Sequence, residues 1–295
     1  MIMELAVISG KGGTGKSSLA AAFATAGDRI VVADCDVDAA NLYLLFNPEH
    51  EKEMVYTGGH KAVVDHTLCT VCGLCESYCR FDAIREENGR MLFSETACDG
   101  CYLCSRICPV DAIEMVRSNK SRMYSGSFRN GMMVYGRLAP GEENSGKLVN
   151  LVREEAKRLA HEKHLETILL DGPPGIGCPV ISTVTGIDRV VIVTEPTMSG
   201  LSDLKRVHEV ARKFTDDVGV IINKYDLNEA VADRIEGWCA ANNSPVLGRL
   251  PFDPRVTEAM VEGKSITEMY PDIEVSRTIK HIWDKLVSNG KEKII

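Results

Sequence analysis

The chain alternates short apolar runs with longer amphipathic or alanine-rich stretches. A continuous apolar run bounded by polar turns is typical of a strand that is buried on both faces. Such runs occupy residues 5–8, 29–34, 166–171, 189–194, 218–222 and 246–250. Helices are predicted at residues 17–26, 148–162 and 274–288, the last with Trp283 in the core. This alternation predicts an α/β fold, with a mostly parallel sheet that carries helices on both faces.

The middle of the chain interrupts this pattern. Residues 46–61 lose apolar periodicity and contain Asn-Pro and Gly-Gly pairs, so we interpret them as a linker that leaves the main fold. A polar return at 117–130 precedes an apolar run at 132–138, which is predicted to be a strand that rejoins the sheet. The predicted domains are a first part of the large domain, a small inserted domain and a second part of the large domain, at residues 1–60, 61–117 and 118–295.

The first apolar run leads into a glycine-rich loop that fits the phosphate-binding pattern G-x-x-x-x-G-K-[ST]. Its glycines let backbone N–H groups turn towards a phosphate, and the start of the next helix adds partial positive charge. Lys16 is expected to bridge the β- and γ-phosphates, and Ser17 to bind Mg²⁺. The predicted nucleotide-contacting residues of this loop are Gly10, Lys11, Gly12, Gly13, Thr14, Gly15, Lys16, Ser17 and Ser18.

Carboxylates follow two of the predicted strands, at the end where α/β sheets bind ligands. Asp34, Asp36 and Asp38 alternate after the second strand, and a carboxylate there can orient the attacking water or hold Mg²⁺. The other interpretation of the trio is helix capping in a solvated turn. Asp171 closes the third strand in the position of a Walker B carboxylate that organises Mg²⁺. In the Gly/Pro loop that follows, the N–H of Gly175 is predicted to contact the γ-phosphate and to act as a switch.

Loops after later strands supply candidates for the base-binding region. Asn223 follows the fifth strand and is placed to hydrogen-bond the base. Asp226 is a second candidate, although capping of the next helix explains it equally well. Pro251 begins a loop that is expected beside the adenine. Residues 140–147 open a predicted helix, and three interpretations remain for them: a loop over the nucleotide, a partner-contacting surface, or a plain turn with a helix cap.

Charge and hydropathy limit the classes of partner. The formal net charge of −8 disfavours non-specific binding to nucleic acid or to an anionic membrane. No apolar run reaches the length that spans a bilayer, and the first predicted strand begins almost at Met1, which leaves no leader pattern. We therefore expect a cytoplasmic protein without nucleic-acid or membrane partners.

Eight of the eleven cysteines lie between positions 69 and 108. In a cytosolic chain such clustering indicates metal binding rather than disulfides. The spacing C-x₂-C-x₂-C-x₃-C occurs twice, at a constant offset of 29 residues. This is the two-cluster bacterial ferredoxin pattern, in which the fourth cysteine of each run ligates the other [4Fe–4S] cluster. The predicted ligands are Cys69, Cys72, Cys75 and Cys108 for cluster 1, and Cys98, Cys101, Cys104 and Cys79 for cluster 2.

One residue departs from the ferredoxin pattern. Pro109 follows Cys108 as expected, whereas Arg80 follows Cys79. The arginine removes no ligand, but we expect it to change the reduction potential of the neighbouring cluster. Four-cysteine zinc sites are the alternative, but such sites usually separate two C-x₂-C pairs by a longer spacer. The inserted segment is thus predicted to be a small α+β ferredoxin-like domain.

The glycine-rich loop also carries the early lysine of a deviant Walker A motif, Lys11. With Asp36, the Asp-Gly-Pro-Pro-Gly run that starts at Asp171, and Asn223, it resembles the MinD and nitrogenase iron-protein class of P-loop ATPases. Over nearly its whole length the chain is similar to MinD-superfamily ATPases with an inserted ferredoxin domain. The resemblance implies ATP and Mg²⁺ as cofactors, and a nucleotide-dependent homodimer or a heterodimer with a related ATPase.

The resemblance also implies roles for individual residues. Lys11 would reach the phosphates bound by the opposite subunit, and Asp36 would position the hydrolytic water. The implied catalytic residues are Lys11, Lys16, Asp36 and Asp171, and the implied Mg²⁺ site consists of Ser17, Asp36 and Asp171. MinD itself ends in a basic amphipathic membrane helix. The tail here, residues 288–295, is too short and lacks an apolar face, so membrane patterning is not expected.

Three cysteines lie outside the ferredoxin pattern. Cys178 stands seven residues after Asp171, similar to a cluster-ligating cysteine of nitrogenase iron protein. That protein supplies two ligands per subunit, and the region before Asp171 offers no second candidate. A buried structural cysteine is therefore the default for Cys178, and a cluster that bridges a dimer interface is the second hypothesis. Cys35 and Cys239 are expected to be packing residues.

Two function classes remain. The first is an ATPase that couples a nucleotide-driven conformational change to electron delivery, or to metallocluster assembly, on a redox or metallocluster partner protein. It is favoured because both parts share one chain. The second is a regulatory or positioning ATPase whose clusters sense redox state or hold a docking domain together. A small-molecule kinase or an amidating synthetase is disfavoured, because no further carboxylate- or amide-handling group of residues is visible.

Overall fold

A computed structural model of the chain describes residues 2–129 and 131–288. The strands in this part of the chain are β1 (Met3–Ser9), β2 (Ile30–Asp34), β3 (Glu49–Tyr56), β4 (His60–Val64), β5 (Ile84–Glu87), β6 (Arg90–Phe93), β7 (Ile113–Arg117), β8 (Ser121–Phe128), β9 (Gly131–Arg137), β10 (Thr167–Pro174), β11 (Arg189–Thr194), β12 (Val218–Asn223) and β13 (Val246–Leu250). The helices are α1 (Lys16–Ala26), α2 (Leu42–Phe46), α3 (Leu74–Ser77), α4 (Leu103–Ile107), α5 (Ser145–Glu162), α6 (Cys178–Val184), α7 (Met198–Ala211), α8 (Glu229–Ala241), α9 (Arg255–Val261), α10 (Ile266–Met269) and α11 (Glu274–Ser288).

The large domain is built on a nine-stranded sheet in the order β13-β12-β11-β1-β10-β2-β9-β8-β3. The strands from β13 to β9 are parallel, β8 is antiparallel to β9, and β3 is antiparallel to β8. This confirms the predicted mostly parallel α/β sheet, and β9 confirms that the chain rejoins it. Strand β1 lies at the centre, between β11 and β10, so the loop that follows it emerges at the middle of the sheet edge.

Successive strand residues face opposite sides of the sheet, which gives the protein two helix-covered cores. In β1, Ala6 and Ile8 face the layer of α5, α6, α7 and α8, whereas Leu5 and Val7 face the layer of α1, α2, α10 and α11. Trp283 is 4% exposed and packs 5.5 Å from Phe23 between ring centroids, as the sequence predicts for a core residue. Within the described residues, no helix is long and apolar enough to cross a membrane.

The cysteine-rich segment forms a small unit beside the sheet. Strands β4 and β7 pair antiparallel and bring the two ends of the segment together, and β5 and β6 form a hairpin between them. Its own core consists of a few buried residues, namely Ala62, Cys75, Ala83, Ile84, Met91 and Ile113. The predicted tail beyond Ser288 lies outside the described residues.

The predicted linker at residues 46–61 is wrong. Residues 49–56 form β3, the edge strand of the main sheet, and residues 121–128 of the predicted polar return form its neighbour β8. In β3 only Tyr56 is buried, so the segment has no apolar periodicity to reveal a strand. The pairing with β8 supplies the stabilising backbone hydrogen bonds that the side-chain pattern does not show.

A substitution at the contact between β8 and β3 tests this edge. A Cβ at Gly126 would collide with the carbonyl oxygen of Glu49, so Gly126→Val is expected to lower the free energy of unfolding by about 1–3 kcal/mol. Gly59→Val is the matched control, because a Cβ there meets nothing within 4 Å. Urea unfolding is the measurement. Equal stability of the two variants would show that β3 does not pair at this edge.

Candidate functional site

The glycine-rich loop has the backbone that a phosphate cradle requires. Gly13 and Gly15 adopt φ values of +83° and +87°, which other residues rarely adopt, and Gly15 is the N-cap of α1. Asn223 lies against this loop, and its Nδ2 donates to the carbonyl of Thr14 at 2.8 Å. A Cβ at Gly15 would collide with the Asn223 amide. The close approach of β12 to the loop therefore depends on glycine at this position.

Lys16 and Asp171 form a buried ion pair at the centre of the site. Lys16 Nζ lies 2.6 Å from Asp171 Oδ1, and the side chains are 7% and 0% exposed. Burial opposes the charge on Lys16, but the Asp171 carboxylate outweighs it and raises the pKa of the ammonium. Asp171 Oδ2 and the hydroxyl of Thr14 are buried and lack a hydrogen-bond partner. An unpaired carboxylate oxygen and an unpaired hydroxyl beside a phosphate loop fit the Mg²⁺ and phosphate oxygens of a bound nucleotide.

The three aspartates after β2 separate into different roles. Asp34 is fully buried and accepts the N–H groups of Asp36, Asn41 and Leu42, so it fixes the loop that ends β2. Burial and the neighbouring Asp171 raise the pKa of Asp34. Asp34 thus bonds the backbone at the start of α2, as a capping group does, but it is buried and does not lie in a solvated turn. Asp36 is half-buried: burial raises its pKa, while the Lys16 charge lowers it. Asp38 is exposed.

Lys11 contacts its own chain in this structure. Its Nζ lies 2.6 Å from Glu195 Oε1 and donates to the hydroxyls of Ser199 at 3.1 Å and Thr197 at 3.4 Å. Lys224 also contacts the phosphate loop, where its Nζ donates to the carbonyl of Gly13 at 3.0 Å. The carboxyl end of β11 thus holds the early lysine beside the phosphate loop.

Gly175 is also engaged within the chain. Its φ is +93°, and its N–H donates to the carbonyl of Ser9 at 2.8 Å. This hydrogen bond joins the loop after β10 to the end of β1, next to the phosphate loop. The predicted contact of the Gly175 N–H with a γ-phosphate would require that this bond to Ser9 opens.

A cavity of about 300 Å³ opens beside the phosphate loop, with Gly15, Ser18, Asn223, Pro251 and Phe252 among its lining residues. The two predicted base-region residues therefore share one pocket. Asp226 does not cap the next helix. Its carboxylate accepts the N–H of Phe252 at 2.6 Å and so holds the loop at one side of the cavity. Asn228 caps α8 instead, by accepting the N–H of Val231.

The cysteines of the two repeats surround two cavities of the small unit. One cavity is lined by Cys69, Cys72, Cys75 and Cys108, and the other by Cys79, Cys98, Cys101 and Cys104 with Cys75 at its edge. All eleven cysteines of the chain lie within the described residues, and none forms a disulfide. In that same part of the chain, no three His, Cys, Asp or Glu side chains lie close enough together to bind a single metal ion.

The thiols in these cavities differ in burial. Cys72 and Cys101 are exposed, whereas Cys75 is buried, and burial raises the pKa of Cys75. Burial also raises the pKa of the Cys104 thiol to about 11. A thiol with a raised pKa stays protonated at neutral pH unless a cation stabilises the thiolate, so these thiols would bind a metal only with loss of their protons.

The remaining cysteines have separate environments. Cys35 and Cys239 are buried, as expected of packing residues. Cys178 is exposed at the start of α6, so the buried structural role expected for it is wrong. It follows the loop that leads from Asp171, but it lies apart from both cysteine-lined cavities.

Comparison with protein families decides the classification of the large domain. Residues 5–266 match the CobQ/CobB/MinD/ParA nucleotide binding domain. This chain belongs to that family. The match spans both sides of the cysteine-rich segment, and it agrees with the phosphate loop, the buried Lys16–Asp171 pair and the parallel sheet. The large domain is therefore the P-loop nucleotide-binding domain of a MinD/ParA-family ATPase.

Individual relatives extend this picture. The uncharacterized protein MJ0578 of Methanocaldococcus jannaschii is 34% identical over 293 residues, which cover 97% of each chain. The cytosolic Fe-S cluster assembly factor Nubp1 homolog of Drosophila grimshawi is 30% identical over 147 residues, which cover 43% of this chain and 47% of that one. The septum site-determining protein MinD of Pyrococcus horikoshii, solved with Mg-ADP, aligns over 100% of both chains with a TM-score of 0.59 and 20% identity. This structural similarity shows that the two chains share a fold.

The sequence analysis did not identify Glu195 and Lys224 as residues of the site. Both follow strands at the carboxyl edge of the sheet, where ligands of α/β folds bind. That position was a usable signal for Glu195, since it stands directly after β11, just as Asp171 directly follows the apolar run of β10. Lys224 has no motif, and only the approach of β12 to the phosphate loop reveals it.

Substitutions in the Lys16–Asp171 pair test its contribution to folding stability separately from its contribution to nucleotide binding. Lys16→Met leaves Asp171 buried without its partner, and we expect the free energy of unfolding to fall by about 3–5 kcal/mol. Lys16→Met combined with Asp171→Asn should recover most of that loss, because no uncompensated charge remains. Neither variant should bind MgATP. Urea unfolding and titration with a fluorescent ATP analogue measure the two effects, and full stability of the single variant would contradict the assignment.

Proposed function

We propose that this chain is an iron–sulfur ATPase that couples nucleotide-driven conformational change to electron transfer, or to Fe–S cluster assembly, on a partner protein. The observation that carries the proposal is the arrangement of eight cysteines around two cavities, in a unit that is inserted into a P-loop domain. Each cavity is lined by the first three cysteines of one repeat and the fourth of the other, with Cys75 also at the edge of the second cavity, and this agrees with the ligand pattern of two-cluster ferredoxins.

The P-loop side of the proposal is ATP hydrolysis. Lys16 lies at the start of α1, where an ammonium neutralises charge on the β- and γ-phosphates. The unpaired oxygen of Asp171 is available for Mg²⁺, which would supply further neutralisation of phosphate charge when bound. The Ser17 hydroxyl, the second proposed ligand, accepts a hydrogen bond from Lys16 Nζ at 3.1 Å and would exchange it for the metal. Asp36 is half-buried, and although burial raises its pKa, the charge of Lys16 favours its carboxylate form, which is the form that would position the attacking water.

The iron–sulfur side of the proposal has independent support. Cys72 and Cys101 are exposed, one at each cavity, so electrons would have a short path between each cluster and a docked partner. The similarity to a cytosolic Fe-S cluster assembly factor supports a link to cluster chemistry, although it extends over less than half of this chain. Electron delivery and cluster assembly make different predictions: the first requires stable clusters, and the second requires iron that passes to an apo-partner.

We further propose that the active form is a dimer, with a second copy or with a related ATPase. Lys11 supports this proposal, because in the single chain it is paired with Glu195 beside the phosphate loop rather than buried in it. A lysine that is partly exposed, and whose ion pair and hydroxyl contacts are screened by solvent, exchanges partners at small cost. Contact with the nucleotide of the opposite subunit would replace the Glu195 contact.

Substitution of single cysteines tests the ligand sets. Cys101→Ala removes a ligand of cluster 2 alone, so we expect loss of about half of the iron and sulfide after anaerobic reconstitution. Cys178→Ala is the matched control, since it also removes an exposed cysteine and should leave the iron content unchanged. A loss of iron in Cys178→Ala that appears only in the dimer would instead support an interface cluster. Unchanged iron in Cys101→Ala would contradict the assignment.

Coupling is tested by redox titration of the reduced protein, followed by EPR, without nucleotide, with MgADP and with a non-hydrolysed MgATP analogue. We expect a midpoint potential that depends on nucleotide, and a shift of about 59 mV would mean a tenfold difference in nucleotide affinity between the redox states. Midpoint potentials that do not change with nucleotide would contradict redox coupling and favour the regulatory or docking function. Failure to load any cluster would contradict the assignment of the small unit.

A further inference from the structure

The two cysteine-lined cavities differ in how they are attached to the large domain. The loop that carries Cys98 and Cys101 is packed against residues 139–144, the loop that precedes α5. A Cβ at Gly141 would collide with the carbonyl of Thr96, and the nearby Asp99 carboxyl raises the pKa of Glu143. The loop of cluster 2 is therefore in direct backbone contact with the P-loop domain.

Lys61 is the residue that joins the two loops. Its side chain is almost fully buried, and its Nζ donates to the carbonyl of Cys98 at 2.6 Å and to the carbonyl of Gly141. A buried ammonium is stable only while it keeps its hydrogen-bond partners, so these two carbonyls are held together. One positive charge thus connects a predicted cluster ligand to the loop before α5.

The connection continues from that loop to the nucleotide site. Asn144 is the N-cap of α5, and its amide donates to the carbonyl of Gly58. In the first turn of α5, a Cβ at Gly146 would lie 3.0 Å from the hydroxyl of Ser182 in α6. Arg153 of α5 donates to the carbonyl of the same Ser182 at 2.7 Å. Helix α6 directly follows the loop that runs from Asp171 through Gly175, which contains the predicted γ-phosphate switch.

The loop of cluster 1 has a different set of contacts. Asp65 donates its N–H to the carbonyl of Ala112 and accepts the N–H groups of Leu68 and Cys69. In the described part of the chain, the hydrogen bonds of residues 65–79 all remain within the small unit. A displacement of α5 would therefore reach the loop of cluster 2 through direct contacts, and the loop of cluster 1 only through the small unit as a whole.

We propose that Lys61 is a positioning residue through which the nucleotide state of the P-loop domain acts on cluster 2 and not on cluster 1. This inference rests on the proposed iron–sulfur ATPase and specifies which cluster responds. A shift of α6 and α5 on nucleotide binding moves the Gly141 carbonyl, and Lys61 transmits that movement to the backbone of Cys98. A change in the distance of a buried positive charge from a cluster changes the stability of its reduced form.

Amide hydrogen exchange of the full-length, cluster-loaded protein tests the connection directly. With a non-hydrolysed MgATP analogue we expect exchange of residues 94–104 to change by about fivefold or more, while residues 66–76 keep their rate. Lys61→Met should abolish the change at 94–104, and Lys61→Arg, which keeps the charge and several donors, should retain it. Lys120→Met is the matched control, since Lys120 pairs with Glu95 of the same loop on the exposed surface.

The redox readout should follow the same pattern. In Lys61→Met the midpoint potential of one cluster should lose its dependence on nucleotide, and its value should become more negative because a nearby cation is gone. If Lys61→Met fails to load clusters, Gly141→Ala provides the second variant. It keeps Lys61 but forces the 139–144 loop away from Thr96, and it should also lose the exchange response.

Distinct outcomes separate the two levels of the proposal. ATP hydrolysis and iron content are measured on the same samples, and a wild-type protein that lacks either would overturn the proposed function and this inference together. A wild-type protein with both properties, but with equal responses at 66–76 and 94–104, overturns the inference alone. A full exchange response in Lys61→Met also overturns it.

Discussion

The buried ion pair between Lys16 and Asp171 is the interaction on which the nucleotide site depends. Each side chain is too deeply buried to keep its charge alone, so each requires the other, and the pair fixes the start of α1 against the end of β10. The pair leaves one carboxylate oxygen and the Thr14 hydroxyl without partners. A buried polar atom without a partner is costly, and a nucleotide with Mg²⁺ relieves that cost at the place where it binds.

Other contacts of the site could be replaced by contacts with a ligand or with a partner subunit. The Gly175 N–H is bound to Ser9, and Lys11 is bound to Glu195, both within one chain. Each of these contacts competes with a contact proposed for the ATP-bound dimer. The site thus combines a rigid buried centre with exchangeable contacts around it, which is the arrangement that a nucleotide-dependent switch requires.

The small cysteine-rich unit has a core that is too limited to be stable by packing alone. Six residues form its buried cluster, and its helices span one turn or little more. Units of this size usually depend on metal or disulfides, and its cysteines form no disulfide among themselves. Cluster binding would therefore contribute to its folding. The contacts of Lys61 and of the 139–144 loop attach the unit to the P-loop domain.

The sequence alone determined the features that contiguous residues encode: buried parallel strands as apolar runs, the phosphate loop as a motif, and the two cysteine sets as a repeat. It failed at β3, because an exposed edge strand has no apolar pattern, and it could not find contacts such as Lys11–Glu195 or Lys61–Gly141. These join residues far apart in the chain, and no local periodicity or spacing records which distant groups meet. The order of strands in the main sheet decided the first of these contacts, since it brings the carboxyl ends of β1, β10 and β11 to one edge. The packing of the small β4–β7 sheet against the 139–144 loop decided the second.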